Sequence, residues 1–226
     1  PGTNYWGAST SLFPYEGSSS GTFTGTATVN INYSATSSST NYAHQVWGFT
    51  GMDFNIQGTF SNGNTLGMSG SSCNNLNFTG FTGPWTYINS GPTYMDIYGD
   101  LTLPATTTAY NWQTTTYVRF RKTSGTQTIT TNGVSLGMPL VFGEASTTTG
   151  TTFTLADNLT QQTTNAYAGN TVELVAGTLN ANNKNVTVCS FKSSNSNTRT
   201  LTMGSGTWTL TLGSDNYSTP SWDLST

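Results

Sequence analysis

Period-two alternation runs through this chain. Residues 23–33 place Phe23, Gly25, Ala27, Val29, Ile31 and Tyr33 on one face, with Thr, Asn and Ser between them. Such alternation marks strands that bury one face and leave the other in water. Shorter runs follow at Met52/Phe54/Ile56, Val118/Phe120, Val172/Leu174, Val186/Val188, Leu201/Met203 and Trp208/Leu210/Leu212. Between them lie SNGN (61–64), TNG (131–133), NANNKN (180–185) and SSNSN (193–197). Asn and Gly favour turns because both reach backbone conformations that other residues avoid. No ten-residue window carries a 3.6-residue apolar period. The pattern predicts an all-β chain of many short strands.

Internal repeats sharpen the architecture. A pattern [I/V]-x-G-[T/D]-[F/L] occurs as IQGTF (56–60), IYGDL (97–101) and VAGTL (175–179). With Gly137 of SLGMPL (135–140), the glycines Gly58, Gly99, Gly137 and Gly177 recur at intervals of 41, 38 and 40. Two further echoes join NGNTLGM (62–68) to NGVSLGM (132–138), and GPWTY (83–87) to GTWTL (206–210). A period near 40 suits two coils of about 20 residues in a β-solenoid, or one four-stranded propeller blade. A β-sandwich or jelly roll is the alternative if the echoes are accidental.

Composition favours the solenoid. Thr (47), Ser (26) and Asn (23) make up 96 of 226 residues, and charged residues only 7%, against about 25% in ordinary domains. Stacked coils place like residues above one another, where Asn and Thr can form hydrogen-bonded ladders and like charges would repel. The same scarcity of Glu, Lys and Arg excludes coiled coils and helical bundles. A net charge of -3 with six cations gives no footprint for nucleic acid or an anionic membrane surface. No apolar run is long enough for a membrane-spanning helix. Disorder is disfavoured by 28 aromatic residues.

The chain opens at Pro1 without an initiator Met, charged n-region or apolar h-region, as expected of a processed product, a fragment or a chain whose first residues are left out. Cys73 and Cys189 belong to no metal-ligand spacing, and both a disulfide and two buried thiols stay open. Five sequons, at Asn32, Asn77, Asn158, Asn185 and Asn216, are no more than chance gives in such a composition.

The stretch TVELVAGTLNANNKNVTVCSFKSSNSNTRTLTMGSGTWTLTL (171–212) resembles β-helical regions of phage structural proteins and large bacterial surface adhesins. Gly177, Thr178, Leu179, Asn182, Val186, Thr187, Asn197, Thr198, Arg199, Leu201, Gly204 and Trp208 carry it, and ITTNGVSLGMPLVFGEA (129–145) is similar in style. The resemblance implies a right-handed parallel β-helix in a virion or cell-surface protein. It transfers no catalytic residue.

Candidate chemistry is sparse. His44 is the single histidine and has no neighbouring ligand set, and no GxSxG elbow is present. The nine acids are Glu16, Asp53, Asp96, Asp100, Glu144, Asp157, Glu173, Asp215 and Asp223. Asp96 and Asp100 share one strand parity at roughly 13 Å if extended, beyond the span of an inverting glycosidase pair, and Glu173 belongs two repeats later. YVRFRK (117–122) puts Arg119 and Arg121 on one face, suited to a carboxylate of a neighbouring subunit or an anionic glycan. Trp6, Trp85 and Trp112 stand beside turn residues and are candidates for sugar stacking, whereas Trp208 falls in an alternating strand.

The expected organisation is an N-terminal cap or docking segment with the first strands (1–50), a repeat-bearing β region (51–214) and a C-terminal cap (215–226). In the cap, Pro220 stops pairing and Trp222 covers the last coil. The expected function is structural or adhesive and non-enzymatic, in a virion or at a cell surface. No cofactor, no metal, no nucleic acid and no membrane insertion is expected. The expected partners are further copies of the chain or other virion or surface proteins, and a host glycan is a candidate ligand. An extracellular carbohydrate-active enzyme or glycan-binding module on the same fold is the alternative.

Overall fold

The computed structural model describes residues 26–35, 42–44, 50–60, 66–68, 72–82, 85–86, 93–105, 116–145, 150–162, 171–211 and 222–225. Among them every regular element is a strand, and no helix is long and apolar enough to cross a membrane. The strands wind in coils. β1 (Ala27–Ala35) and β2 (Tyr42–His44) come first, then β3 (Met52–Phe60), β4 (Leu66–Met68) and β5 (Ser72–Cys73). The next round is β6 (Leu76–Thr82), β7 (Trp85–Thr86) and β8 (Thr93–Ile97), followed by β9 (Leu101–Thr102) and β10 (Thr116–Phe120). Below lie β11 (Ser124–Thr130), β12 (Ser135–Leu136) and β13 (Leu140–Phe142), then β14 (Gly150–Leu155), β15 (Leu159–Gln161) and β16 (Thr171–Leu174). The last two rounds are β17 (Gly177–Asn180), β18 (Val186–Val188), β19 (Ser190–Lys192), and β20 (Arg199–Thr202), β21 (Trp208–Leu210), β22 (Trp222–Asp223).

Each strand pairs in parallel with its counterpart one coil away. The first face is an eight-stranded sheet, β1-β3-β6-β9-β11-β14-β17-β20. The third face is seven-stranded, β5-β8-β10-β13-β16-β19-β22. Among the described residues the second face comprises β2-β4-β7 and β12-β15-β18-β21. The fold is therefore a parallel β-solenoid, as the alternation and low charge predict.

The coil is longer than the repeats suggest, and its length varies. Successive in-register partners on the first face are Phe54, Leu76, Leu101 and Ile129, and each step in residue number is larger than the one before. Where a whole coil is described it carries three strands, and the segments between strands differ in length. The glycine repeat must be corrected accordingly. Gly58 lies inside β3, Gly99 in the bend between β8 and β9, Gly137 between β12 and β13, and Gly177 at the head of β17. From Gly99 to Gly177 the chain makes the three coil steps β9-β11-β14-β17, where two glycine periods of two coils each would require four. The glycine period therefore matches no whole number of coils. The other two echoes do fall on equivalent positions: β4 and β12, like β7 and β21, are all second-face strands.

Inward side chains stack into apolar columns. One runs Phe54, Leu76, Leu101, Ile129, Leu155 on the first face. Another runs Met95, Val118, Leu140, Val172, Phe191, Trp222 on the third. All are buried except Trp222, which is 38% exposed and lies 4.8 Å from Phe191 and 5.4 Å from Trp208, ring centre to ring centre. Outward columns repeat Thr on Thr, as in Thr126-Thr152-Thr178-Thr200 and Thr160-Thr187-Thr209. Side-chain ladders join Asn55 to Asn30 at 2.9 Å and Thr59 to Thr82 at 2.7 Å. In the corners, Asn185 N donates to Asn158 Oδ1 and Thr207 N to Asn185 Oδ1, both at 2.9 Å. Asn132, Asn182 and Asn183 adopt left-handed backbone there, which is where Asn is tolerated best after Gly.

Cys73 and Cys189 are both buried and form no disulfide. Burial, assisted by the Asp53 and Asp96 charges, pushes the Cys73 thiol from 9.0 to about 12. A thiol whose folded pKa is raised holds its proton where the unfolded chain releases it. Stability therefore falls as pH rises from about 9 through about 12 and is unaffected by this group below that window. Native protein pulsed with iodoacetamide near pH 8 is expected to carry no adduct on Cys73 by mass spectrometry, with labelling appearing only in denaturant. Labelling of the native chain at Cys73 would contradict its burial.

Candidate functional site

The charged residues of the third face converge across coils. Strand alternation turns Val118 and Phe120 inward and leaves Arg119 outward, and pairing of β8 with β10 sets Asp96 opposite Arg119. Arg119 Nε donates to Asp96 Oδ1 at 2.5 Å and Arg119 Nη2 to Asp96 Oδ2 at 2.7 Å, a two-point fork. Arg121 Nη1 donates to Asp96 Oδ2 at 2.7 Å, and its Nη2 to Glu144 from the following coil. Burial works against the Arg121 charge, but the hydrogen bonds to Glu144 and Asp96 outweigh it and hold the guanidinium protonated beyond its ordinary range.

Aromatic rings flank the cluster. The Arg119 guanidinium carbon sits 3.7 Å from the centre of the Tyr94 ring, and that of Arg121 sits 5.6 Å from the Tyr98 ring. Tyr94 and Tyr117 are paired in register with ring centres 5.6 Å apart. Burial raises the Tyr98 hydroxyl above its ordinary value, partly offset by Arg121. Along the same outward column the charges alternate: Asp96, Arg119, Val141, Glu173, Lys192, Asp223. Glu173 and Lys192 meet at 3.5 Å. Stacking therefore tolerates charge when the sign changes from coil to coil.

A second polar locus lies on the first face. Asp53 Oδ1 accepts from Asn74 Nδ2 at 2.8 Å, Asn75 Nδ2 at 2.9 Å and Asn75 N at 3.1 Å. Asp100 N donates to Asn75 Oδ1 at 2.6 Å, and Asp100 Oδ1 accepts from Thr128 N at 2.7 Å. Asp53, Asn75 and Asp100 form one column, each preceding a buried residue of the first-face stack. Asp53 and Asp100 belong to backbone levels two strand spacings apart, roughly 10 Å, on an open groove that also includes Asn55, Asn77 and Thr102.

The candidates from sequence fare unequally. Arg119 and Arg121 come together in the third-face cluster. Trp85 lies in β7, while Trp6 and Trp112 lie outside the described residues. His44 ends β2. Asp96 and Asp100 occupy different faces, so they are not a pair. Among the described residues no group of three or more His, Cys, Asp or Glu converges to hold a metal ion.

Three elements of the site are not evident from sequence: Asp96 as partner of both arginines, the Tyr94/Tyr117 pair, and the Asp53-Asn75-Asp100 column. A signal for the last exists. The polar-apolar-polar triplets Asp53-Phe54-Asn55, Asn75-Leu76-Asn77, Asp100-Leu101-Thr102 and Thr128-Ile129-Thr130 recur at the true coil length.

No protein-family model, curated protein or solved structure matches the chain.

Proposed function

We propose that this chain is a non-enzymatic architectural and attachment protein of a virion, such as a phage fibre, tail or decoration component. It acts with further copies of itself or with neighbouring particle proteins, in an extracellular setting. The observation that carries the reading is where the carboxylates go. Among the described residues, Asp53, Asp96, Asp100, Glu144, Asp157 and Glu173 each bind a donor in an adjacent coil. Asp223 binds Ser225 N of its own coil. Acids used in this way fasten a stiff stack, and the outer faces remain for contact. The resemblance in style of residues 171–212 to β-helical virion and surface proteins points to the same setting.

A second reading, a glycan-cleaving site, is favoured by one observation, the Asp53/Asp100 pair at roughly the separation of an inverting glycosidase. Incubation with a panel of bacterial surface polysaccharides decides between the two. The architectural reading expects no release of reducing ends, and immunogold microscopy of native material is expected to place the chain on particles or fibres. Release of reducing ends that Asp53→Asn or Asp100→Asn abolishes would establish the enzyme instead.

A further inference from the structure

We propose that Tyr94, Tyr117 and Arg119 form a stacking platform for a ring of a neutral polysaccharide on the third face. The inference rests on the attachment reading above and names its ligand class. Tyr94 is 43% exposed; the other large apolar side chains exposed among the described residues, Met203, Trp222 and Leu224, all belong to the last coil. Among the described residues, Tyr94 is thus the exposed large aromatic side chain that lies away from the last coil.

The ring is fixed before any ligand arrives. Tyr117 is its in-register neighbour and Arg119 covers its ring at 3.7 Å. Both supports come from β10, the neighbour of β8 on one side, with β5 on the other, and 43% of Tyr94 stays exposed beside them. A sugar presents a face of C–H bonds that carry slight positive charge, and an aromatic ring presents a negative face to receive them.

Charge selects the ligand class. Asp96, Arg119, Arg121 and Glu144 are two anions and two cations joined by direct hydrogen bonds, so the cluster is neutral as a unit. An anionic polymer would have to compete with Asp96 for guanidinium groups already held in a fork. A protein partner would have to bury the cluster, and burying ions under an interface costs more than it returns unless each is re-paired. A neutral glycan does neither. Its hydroxyl groups donate and accept at the hydroxyl of the exposed Tyr94, in place of water.

The test is titration calorimetry of the purified chain with maltohexaose, cellohexaose and chitohexaose, and with heparin as the anionic probe. At least one neutral hexasaccharide is expected to bind, with affinity unchanged between about 0.05 and 0.5 M salt. Tyr94→Ala is expected to weaken binding about tenfold or more, the scale of a lost aromatic contact, while Tyr94→Phe keeps it within about threefold. Binding of heparin alone, of no member of the panel, or of a neutral glycan equally well by Tyr94→Ala overturns the proposal. So does self-association of the chain that Tyr94→Ala abolishes, which would make the platform a protein contact. None of these outcomes touches the architectural reading, which the cleavage and microscopy experiments decide.

Discussion

Replacing Gly99 with alanine is expected to destabilise the chain by about 3 kcal/mol, combining a steric clash in a packed site with a broken hydrogen-bond ladder. Gly99 is buried in the bend between β8 and β9. A Cβ there would stand 2.2 Å from Asn75 Oδ1 and 2.9 Å from both Asn74 Oδ1 and the Asn74 carbonyl carbon. The last of these is backbone and cannot swing aside. Displacing Asn75 also removes the acceptor of Asp100 N and a donor to Asp53. The Gly99 carbonyl is itself one of two acceptors of buried Gln127 Nε2, the other being Ile97 O at 2.8 Å. The groups tied together at this point span four successive levels of the first face, from Asp53 to Gln127. Gly150 is the control, since a Cβ there meets nothing within 4 Å and its backbone is in an ordinary region. Gly150→Ala is expected to be neutral or slightly stabilising through the unfolded chain. If the two variants unfold at the same urea concentration, the close approach at Gly99 is wrong.

Phe142→Ala is expected to cost about 3–5 kcal/mol, the usual range for emptying a buried aromatic site. Phe142 is fully buried, stacks on Phe120 with ring centres 4.8 Å apart and planes at 17°, and meets Phe153 edge-on at 5.6 Å. It therefore links three neighbouring strands of the interior. In a solenoid each coil touches only its neighbours, so a weak coil in the middle can uncouple the two ends. Urea unfolding of the variant is expected to lose its single sharp transition. Amide exchange is expected to accelerate around 118–155 before it does at 177–192. A cost below about 1 kcal/mol, or uniform acceleration along the chain, would show that the aromatic stack is not the link described.

The third-face cluster shows why some of the site escapes notice in the sequence. Arg119 and Arg121 stand out because they are two positions apart on one strand. Their partner Asp96 lies 23 residues before Arg119, and Glu144 lies 23 residues after Arg121. Parallel neighbours are a whole coil apart, so pairing leaves no short-range trace. The tyrosine pair is hidden for the same reason. The glycine repeat misleads because glycine serves different needs around a coil: Gly99 lets backbone approach Asn74, whereas Gly177 takes a left-handed conformation at φ 82°. Residues recruited for different reasons need not recur at the coil length. The first-face triplets do, because each apolar member fills one level of the same column.

Alternation and composition were enough to establish the all-β class, the inward and outward faces, the Asn turns and the preference for uncharged ladders. Those signals act within a few residues, so they survive without knowledge of the coil. Which residue lies above which is a different matter. The corners between strands vary, so the step from Leu101 to Ile129 is longer than the step from Phe54 to Leu76. Register is set by filling each interior column and satisfying each edge, a condition on the whole stack. That condition brought Asp96 to Arg119, Asp53 near Asp100 and Tyr94 beside Tyr117, and no local pattern could have done so.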